Sequence, residues 1–164
     1  MKRTDFSDMH CSIAQALNIV GEWWTLLILR DVFIGNHRFS GLLDSLGISR
    51  KVLTDRLETL VAEGILEQVP YDTGNRFEYH LTQKGYELGP VLLTLIAWGD
   101  KWVFKNQPPI ELTHKACNQI TSPQVVCSEC GEPISFRDLI GEPSRHMPED
   151  AQQRWKKLKE DHTS

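Results

Sequence analysis

Two groups of side chains in this sequence have the residue types and the spacing to do chemistry. The first is a run of cations and hydroxyls between residues 38 and 56, which can donate hydrogen bonds to an anion. The second is a late set of soft metal ligands, formed by the pair His114 and Cys117 and the pair Cys127 and Cys130. The first group suits binding to a polyanion, and the second suits coordination of a metal ion.

The late ligands have the spacing of a zinc-ribbon hairpin. Two residues separate the members of each pair, and nine residues separate the pairs. Tetrahedral zinc takes four thiolate or imidazole ligands, and Gly131 suits the tight turn after the last cysteine. Four protein ligands close the coordination shell, so we expect a structural zinc ion and no enzymatic activity. The alternative is a hairpin of the same shape whose thiols carry no metal.

Composition and charge are those of a globular protein with one basic face. The 164 residues are 40% apolar and 24% charged, with a net charge of -4. Residues 36–56 nevertheless carry an excess of two positive charges. No run of 18 apolar residues occurs and the N-terminal residues are polar, so we expect no membrane span and a cytoplasmic location.

The elements that must position the cations are read from hydrophobic spacing and helix caps. A first helix is expected from a cap at Ser7 or Asp8 to Val20, and a second, nearly all apolar, over residues 23–33. A third helix is expected over residues 39–46. Gly47 then makes a turn, and Ser49 caps a fourth helix whose buried stripe is Leu53, Leu57, Leu60 and Val61.

A hairpin and a long helix are expected to follow. Residues 65–69 and 76–81 alternate polar and apolar side chains around a polar tip that contains glycine. Thr82 caps a helical stretch to about Phe104, which Pro90 should kink or restart. Helix, turn, helix and hairpin in this order predict an α+β winged helix-turn-helix domain over residues 1–106. Residues 107–164 are predicted to be an extension with the zinc-ribbon-like hairpin and a terminal helix.

The fourth helix carries cations where its own dipole disfavours them. Arg50 and Lys51 occupy its first turn, which is the positive end of the helix. A polyanion at that end would satisfy both side chains and the free backbone N–H groups. Thr54 and Asp55 lie one turn later, where they can reach base edges, and Arg56 suits a backbone phosphate. The alternative is a solvated helix face without a ligand.

The hairpin tip offers two further donors. Asn75 and Arg76 lie at or beside it, where a wing arginine enters the minor groove or binds phosphate. The alternative is a turn asparagine with a solubilising arginine. The candidate DNA contacts are therefore Arg38, Ser40, Ser49, Arg50, Lys51, Thr54, Asp55, Arg56, Asn75 and Arg76.

A set of spaced residues over most of the first 105 positions carries a family resemblance. The positions are Cys11, Gly21, Trp24, Thr25, Ile28, Leu29, Arg30, Arg38, Phe39, Ser40, Leu42, Ile48, Ser49, Lys51, Leu53, Thr54, Arg56, Leu57, Leu60, Gly64, Tyr79, Leu81, Thr82, Lys84, Gly85 and Trp98. With them the sequence resembles the HxlR family of bacterial transcriptional regulators, relatives of the MarR-type winged-helix proteins. It departs from the family pattern at Ser12, where proline is frequent, and at Trp23, where a basic residue is usual.

The resemblance implies a homodimer, built by the N-terminal helix and the long helix after the wing, that binds a near-palindromic operator in double-stranded DNA. In several relatives a cysteine at the position of Cys11 senses oxidants. A thiol near a helix N-terminus is a candidate for such a redox role, and the alternative is a small packing residue. We expect a transcriptional regulator, and a repressor in preference to an activator. The sequence leaves open a small-molecule or oxidant effector and does not identify one. The alternative function is a winged-helix protein-interaction module whose zinc-stabilised tail serves for docking.

Overall fold

The computed structural model describes residues 5–71 and 76–161. Seven α-helices, four β-strands and one 3-10 turn (Phe136–Asp138) occur within these ranges. The helices are α1 Ser12–Val20, α2 Thr25–Phe33, α3 Phe39–Leu46, α4 Arg50–Ala62, α5 Gln83–Tyr86, α6 Gly89–Trp102 and α7 Glu149–Asp161. The strands are β1 Leu66–Pro70, β2 Phe77–Leu81, β3 Thr113–His114 and β4 Gln119–Ile120.

Helix α2 is the central element of the core, as its apolar sequence predicts. Ile28, Leu29 and Val32 are fully buried and pack with the inner stripe of α4 and with Leu42 of α3. The helix ends at Phe33, and Gly35 shortly after it has a φ of 97°, in the left-handed region. Burial of these aliphatic side chains is the main source of stability for the domain.

The turn between α3 and α4 has the geometry expected from its residues. Gly47 adopts a φ of 63°, which closes α3 and turns the chain without strain on a Cβ. The Ser49 hydroxyl then accepts a hydrogen bond of 3.3 Å from the backbone N–H of Val52, and α4 begins at Arg50. Of the predicted stripe, Leu53, Leu57 and Leu60 are buried, and Val61 is partly buried against the same core.

The wing is an antiparallel hairpin in which Leu66 pairs with Leu81 and Pro70 with Phe77. Leu66 and Leu81 are buried at its base, so the hairpin is anchored to the core there. The segment before α3 lines the other edge of β2, where the N–H of Tyr79 donates to the carbonyl of His37 over 2.8 Å.

Two side chains tie the end of α4 to the start of α5. The Thr82 hydroxyl donates to the carbonyl of Gly64 over 2.6 Å, and the Lys84 ammonium donates to the carbonyl of Glu63 over 2.6 Å. Thr82 also caps α5 by accepting the N–H of Gly85 over 3.2 Å. The carbonyls of the two residues that follow α4 therefore have partners, and the end of α4 is joined to α5 by direct bonds.

The long helix predicted after the wing is broken, as Pro90 predicts. Helix α5 ends at Tyr86, and α6 restarts with Pro90 in its first turn, where the missing N–H costs nothing. Along α6, Leu95, Trp98 and Trp102 are 50%, 59% and 62% exposed. Their spacing of three and four residues places them on one face, which forms an exposed apolar stripe.

Three expectations about element boundaries are corrected. Helix α1 begins at Ser12, not at a cap on Ser7 or Asp8, because the Ser7 hydroxyl donates to the Asp5 carboxylate and the preceding residues form a turn. Trp23 precedes α2 and is 83% exposed, so it is not part of the buried helix. The late cysteines do not share one hairpin, because the β3–β4 hairpin contains Cys117 alone.

Two compact units make up the described chain. One is Ile19–Pro123, and the other combines the described residues up to Asn18 with those from Gln124 onward. The domain division predicted from the sequence, at residues 106 and 107, stays a prediction. Among the described residues no single helix is long and apolar enough to cross a membrane, although the bent pair α1 and α2 passes that test together.

Candidate nucleic-acid interface

The first turn of α4 presents its two cations to solvent. Lys51 is 85% exposed, and its ammonium lies 3.5 Å from the Asp55 carboxylate one turn later. Arg50 is exposed beside it, with its guanidinium 5.9 Å from the centre of the Phe39 ring. An exposed ion pair of this kind is weak, so Lys51 can exchange Asp55 for a phosphate at little cost.

Arg38 is positioned by the wing. It is the residue before α3, in extended conformation, and it lies opposite Glu78 of β2 in a β-bridge. Its Nε donates to Glu78 Oε1 over 2.9 Å, and its guanidinium lies 4.6 Å from the centre of the Tyr71 ring. The side chain is still 59% exposed, so it retains donors for an anion.

A cavity of about 590 Å³ brings three of the predicted cations together. We call it the arginine notch, because Arg38, Arg50 and Arg76 line it, together with Ser40 from the first turn of α3. Its remaining walls are aromatic and comprise Phe39, Tyr71, Phe77 and Tyr79. The notch therefore joins α3, the start of α4 and the wing into one basic surface, which has the chemistry of a phosphate-binding site.

Other predicted contacts lie apart from the notch. Arg56 is only 20% exposed and its Nη1 lies 3.6 Å from the Glu22 carboxylate, so it faces the turn before α2. Thr54 is half-buried on α4, and the Ser49 hydroxyl is engaged as the helix cap. Asn75 lies outside the described residues. The DNA-contact roles of all these residues remain predictions.

Sequence reasoning missed the acidic partner of Arg38. Glu78 also accepts from His80 Nε2 at 3.2 Å, and the His80 ring stacks on His37 with 4.3 Å between centres. The hydrogen bond from Arg38 lowers the pKa of Glu78 below its ordinary value, and the bond from His80 adds a smaller effect in the same direction. Glu78 therefore stays ionised at neutral pH, and its pairing with Arg38 is lost only as the pH falls through that lowered pKa.

Glu78→Gln is expected to strengthen binding to duplex DNA by about threefold at low salt, because it removes a negative charge from the interface and releases Arg38. Fluorescence anisotropy with a labelled duplex measures the effect. Glu67→Gln is the matched control. It removes the same charge from β1, where Glu67 forms no ion pair with any described residue. A gain no larger in Glu78→Gln than in Glu67→Gln would contradict the proposed restraint on Arg38.

The metal-ligand candidates form two separate local pairs. His114 Nδ1 lies 3.3 Å from Cys117 Sγ. Hydrogen bonds lower the pKa of Cys127. The largest contribution comes from the backbone N–H of Cys130, and smaller ones come from the backbone N–H of Glu129 and the Cys130 side chain. A turn that donates N–H groups to a thiolate is the geometry of half a zinc site. No group of three or more metal-ligating side chains is assembled within the part of the chain that the structure describes.

Cys11 lies directly before α1, where its carbonyl accepts the N–H of Gln15 over 3.0 Å. The cysteine is exposed and lines a cavity of about 610 Å³ together with His10, Met147 and His146. The thiol is therefore accessible to a small oxidant.

A three-helix core, a basic first turn on α4 and a wing beside it define a winged helix-turn-helix DNA-binding protein. Residues 19–107, more than half of the chain, match the family of HxlR-like helix-turn-helix proteins. The chain belongs to this HxlR family of transcriptional regulators, and it is not an enzyme.

Relatives extend the match beyond the winged-helix domain. An uncharacterised HTH-type transcriptional regulator of Mycobacterium tuberculosis, Rv3095, is 42% identical over 134 residues, which are 80% of this chain and 85% of that protein. The crystal structure of PA1607, a candidate transcription factor, is 33% identical with a TM-score of 0.75 and covers 87% of this chain and 99% of its own. PA1374 of Pseudomonas aeruginosa is 32% identical, with a TM-score of 0.61 and coverage of 88% and 99%. These matched spans exceed 106 residues, so they include part of the extension.

Proposed function

We propose that the protein is a repressor that binds a near-palindromic operator as a homodimer, with α4 of each copy in a major groove. The observation that carries this proposal is the arginine notch beside the exposed cations of α4. Arg38, Arg50 and Arg76 line it from the segment before α3, from the start of α4 and from the wing, beside the N-terminus of α4. A protein that binds operator DNA acts in the cytoplasm, which is the location expected from the sequence.

The apolar stripe of α6 supports the homodimer. Leu95, Trp98 and Trp102 are each at least half exposed, and contiguous large apolar side chains of this kind mark protein interfaces. A two-fold interface would place two copies of α4 at a fixed spacing, which a palindromic site matches. The protein-interaction module considered from the sequence is disfavoured, because the family consists of transcriptional regulators.

Selection of bound duplexes from a random pool tests the proposal directly. We expect a two-fold symmetric consensus with half-sites about 10 base pairs apart, and one dimer per site by light scattering. Footprinting on the region upstream of the protein's own gene, followed by transcription with purified polymerase, distinguishes repression from activation. An asymmetric or absent consensus would overturn the operator proposal.

One structural zinc ion per chain is proposed from the spacing of His114, Cys117, Cys127 and Cys130. Zinc would neutralise the thiolates and stabilise a tail segment with a small apolar core. We expect metal analysis of protein never exposed to chelator to give about one zinc per chain, and Cys127→Ser with Cys130→Ser to remove it. Cys11→Ser serves as the control and should retain the metal. Metal-free wild-type protein would refute the site.

Cys11 is proposed as a redox-sensitive residue. Hydrogen peroxide converts a thiol to sulfenic acid with release of one water molecule, and an exposed thiol before a helix is accessible to it. We expect peroxide to weaken operator binding by the wild type and to leave Cys11→Ser unchanged. Equal sensitivity of both proteins would assign the effect to another residue.

A further inference from the structure

A third cavity lies between the last turns of α6 and the segment that contains the β3–β4 hairpin, entirely within the unit Ile19–Pro123. Its volume is about 370 Å³, which is in the range of small-molecule sites. Apolar side chains from both elements form its walls, among them Ile96, Ala97, Leu112 and Ile120. A compact apolar group of a ligand would be desolvated there.

The charged side chains of this cavity are two carboxylates, Asp100 and Glu111, and one ammonium, Lys101. Asp100 is half-buried and Glu111 is exposed, and among the described residues neither carboxylate has a hydrogen bond or an ion pair. The one cation of the lining, Lys101, has its ammonium 4.9 Å from the centre of the Trp102 ring. That cation–π contact holds the Lys101 charge on the Trp102 side, so the carboxylates remain available to a positive group.

The cavity and the apolar stripe occupy different sides of α6. With 3.6 residues per turn, Ala97 and Asp100 are on nearly the opposite side of the helix from Trp98 and Trp102. A protein partner on the stripe would therefore leave the cavity open. A ligand in the cavity would contact the back of the same helix.

We propose that this cavity binds a small organic cation, with an apolar body against Ile96, Ala97, Leu112 and Ile120 and an ammonium group on the Asp100 carboxylate. Glu111 adds negative charge at the entrance. The site goes beyond DNA recognition and does not depend on it, because no residue of the arginine notch is part of it.

The test uses the full chain without DNA and three probes of one shape: cyclohexylammonium, cyclohexanol and cyclohexanecarboxylate. Amide chemical shifts are followed by NMR during titration. We expect saturable shifts at Ala97, Asp100 and Ile120 with the ammonium probe, at an affinity about tenfold above that of the alcohol, because a charge-assisted bond is gained. The carboxylate should not bind.

Asp100→Asn is expected to reduce the affinity for cyclohexylammonium about tenfold, to that of the alcohol. Asp44→Asn is the matched control, since it removes an exposed carboxylate of α3 outside the cavity. Ala97→Leu fills the cavity without changing its charge and should weaken both probes, with the remaining spectrum confirming the fold. Equal binding of ammonium and alcohol, an unaltered affinity in Asp100→Asn, or no saturable shifts at the lining would each overturn the proposal. None of these outcomes bears on the operator.

Discussion

Replacing Arg50 and Lys51 together by alanine is expected to lower operator affinity by at least about a hundredfold. Each side chain is exposed at the start of α4, and the loss of a charge-assisted bond to phosphate costs about 1.5–3 kcal/mol. The slope of log affinity against log salt should also become shallower, by about 0.9 for each phosphate contact removed. Anisotropy titrations of the selected operator at several salt concentrations measure both quantities.

The matched control for this variant is Lys156→Ala with Lys157→Ala. These two residues are also adjacent, exposed cations on a helix, but they belong to α7 in the tail. The control removes the same net charge and should change affinity by less than about threefold at moderate salt. Equal losses in the two double variants would mean that overall charge, and not the first turn of α4, determines binding.

Gly85→Ala is expected to destabilise the winged-helix domain by about 3 kcal/mol, at the upper end for an overpacked site. A Cβ at this position would clash with the backbone carbonyl oxygen of Ile65 and would lie 2.9 Å from Leu81 Cδ2. The carbonyl belongs to the entrance of the wing, so it cannot move without disturbing the hairpin. Urea unfolding followed by far-UV circular dichroism gives the change in the free energy of unfolding.

Gly99→Ala makes the same glycine-to-alanine change at a position where we expect a gain in stability instead of a loss. A Cβ at Gly99 meets no atom within 4 Å, and the residue lies inside α6. Alanine there should raise stability by about 0.5–1 kcal/mol, because it restricts the unfolded chain and favours helix. Destabilisation by both variants to a similar extent would show that close approach at Gly85 is not the cause.

Local signals made the helix-turn-helix predictable. The sequence placed α3 at residues 39–46 and the start of α4 after Ser49, and the structure confirms both. Gly47 and Ser49 set these ends through backbone conformation and a side-chain cap, which depend on neighbours within three residues. Pro90 acted in the same way on the break before α6. Such boundaries need no knowledge of the tertiary fold.

Interactions between distant segments were not predictable in the same way. Arg38 and Glu78 are forty residues apart, and their pairing depends on the segment before α3 lying along β2. The predicted phosphate role of Arg56 ignored Glu22, which lies close to it only after α4 packs against the turn before α2. The start of α1 was wrong for a related reason. The Gln15 amide donates to loop carbonyls, including that of Phe6, and this stabilises a non-helical turn.

The bonds from Thr82 and Lys84 to the end of α4 have a mechanical consequence. Both donors belong to the segment that begins α5. Helix α4 therefore cannot tilt alone without breaking these two hydrogen bonds. Helices α4 and α5 should therefore move together with the core into which Leu53, Leu57 and Leu60 pack, and the break between Tyr86 and Gly89 is the nearest joint to α6. In the proposed dimer, a few degrees of rotation at that joint would change the distance between the two copies of α4. The two helices would then no longer match the spacing of successive major grooves.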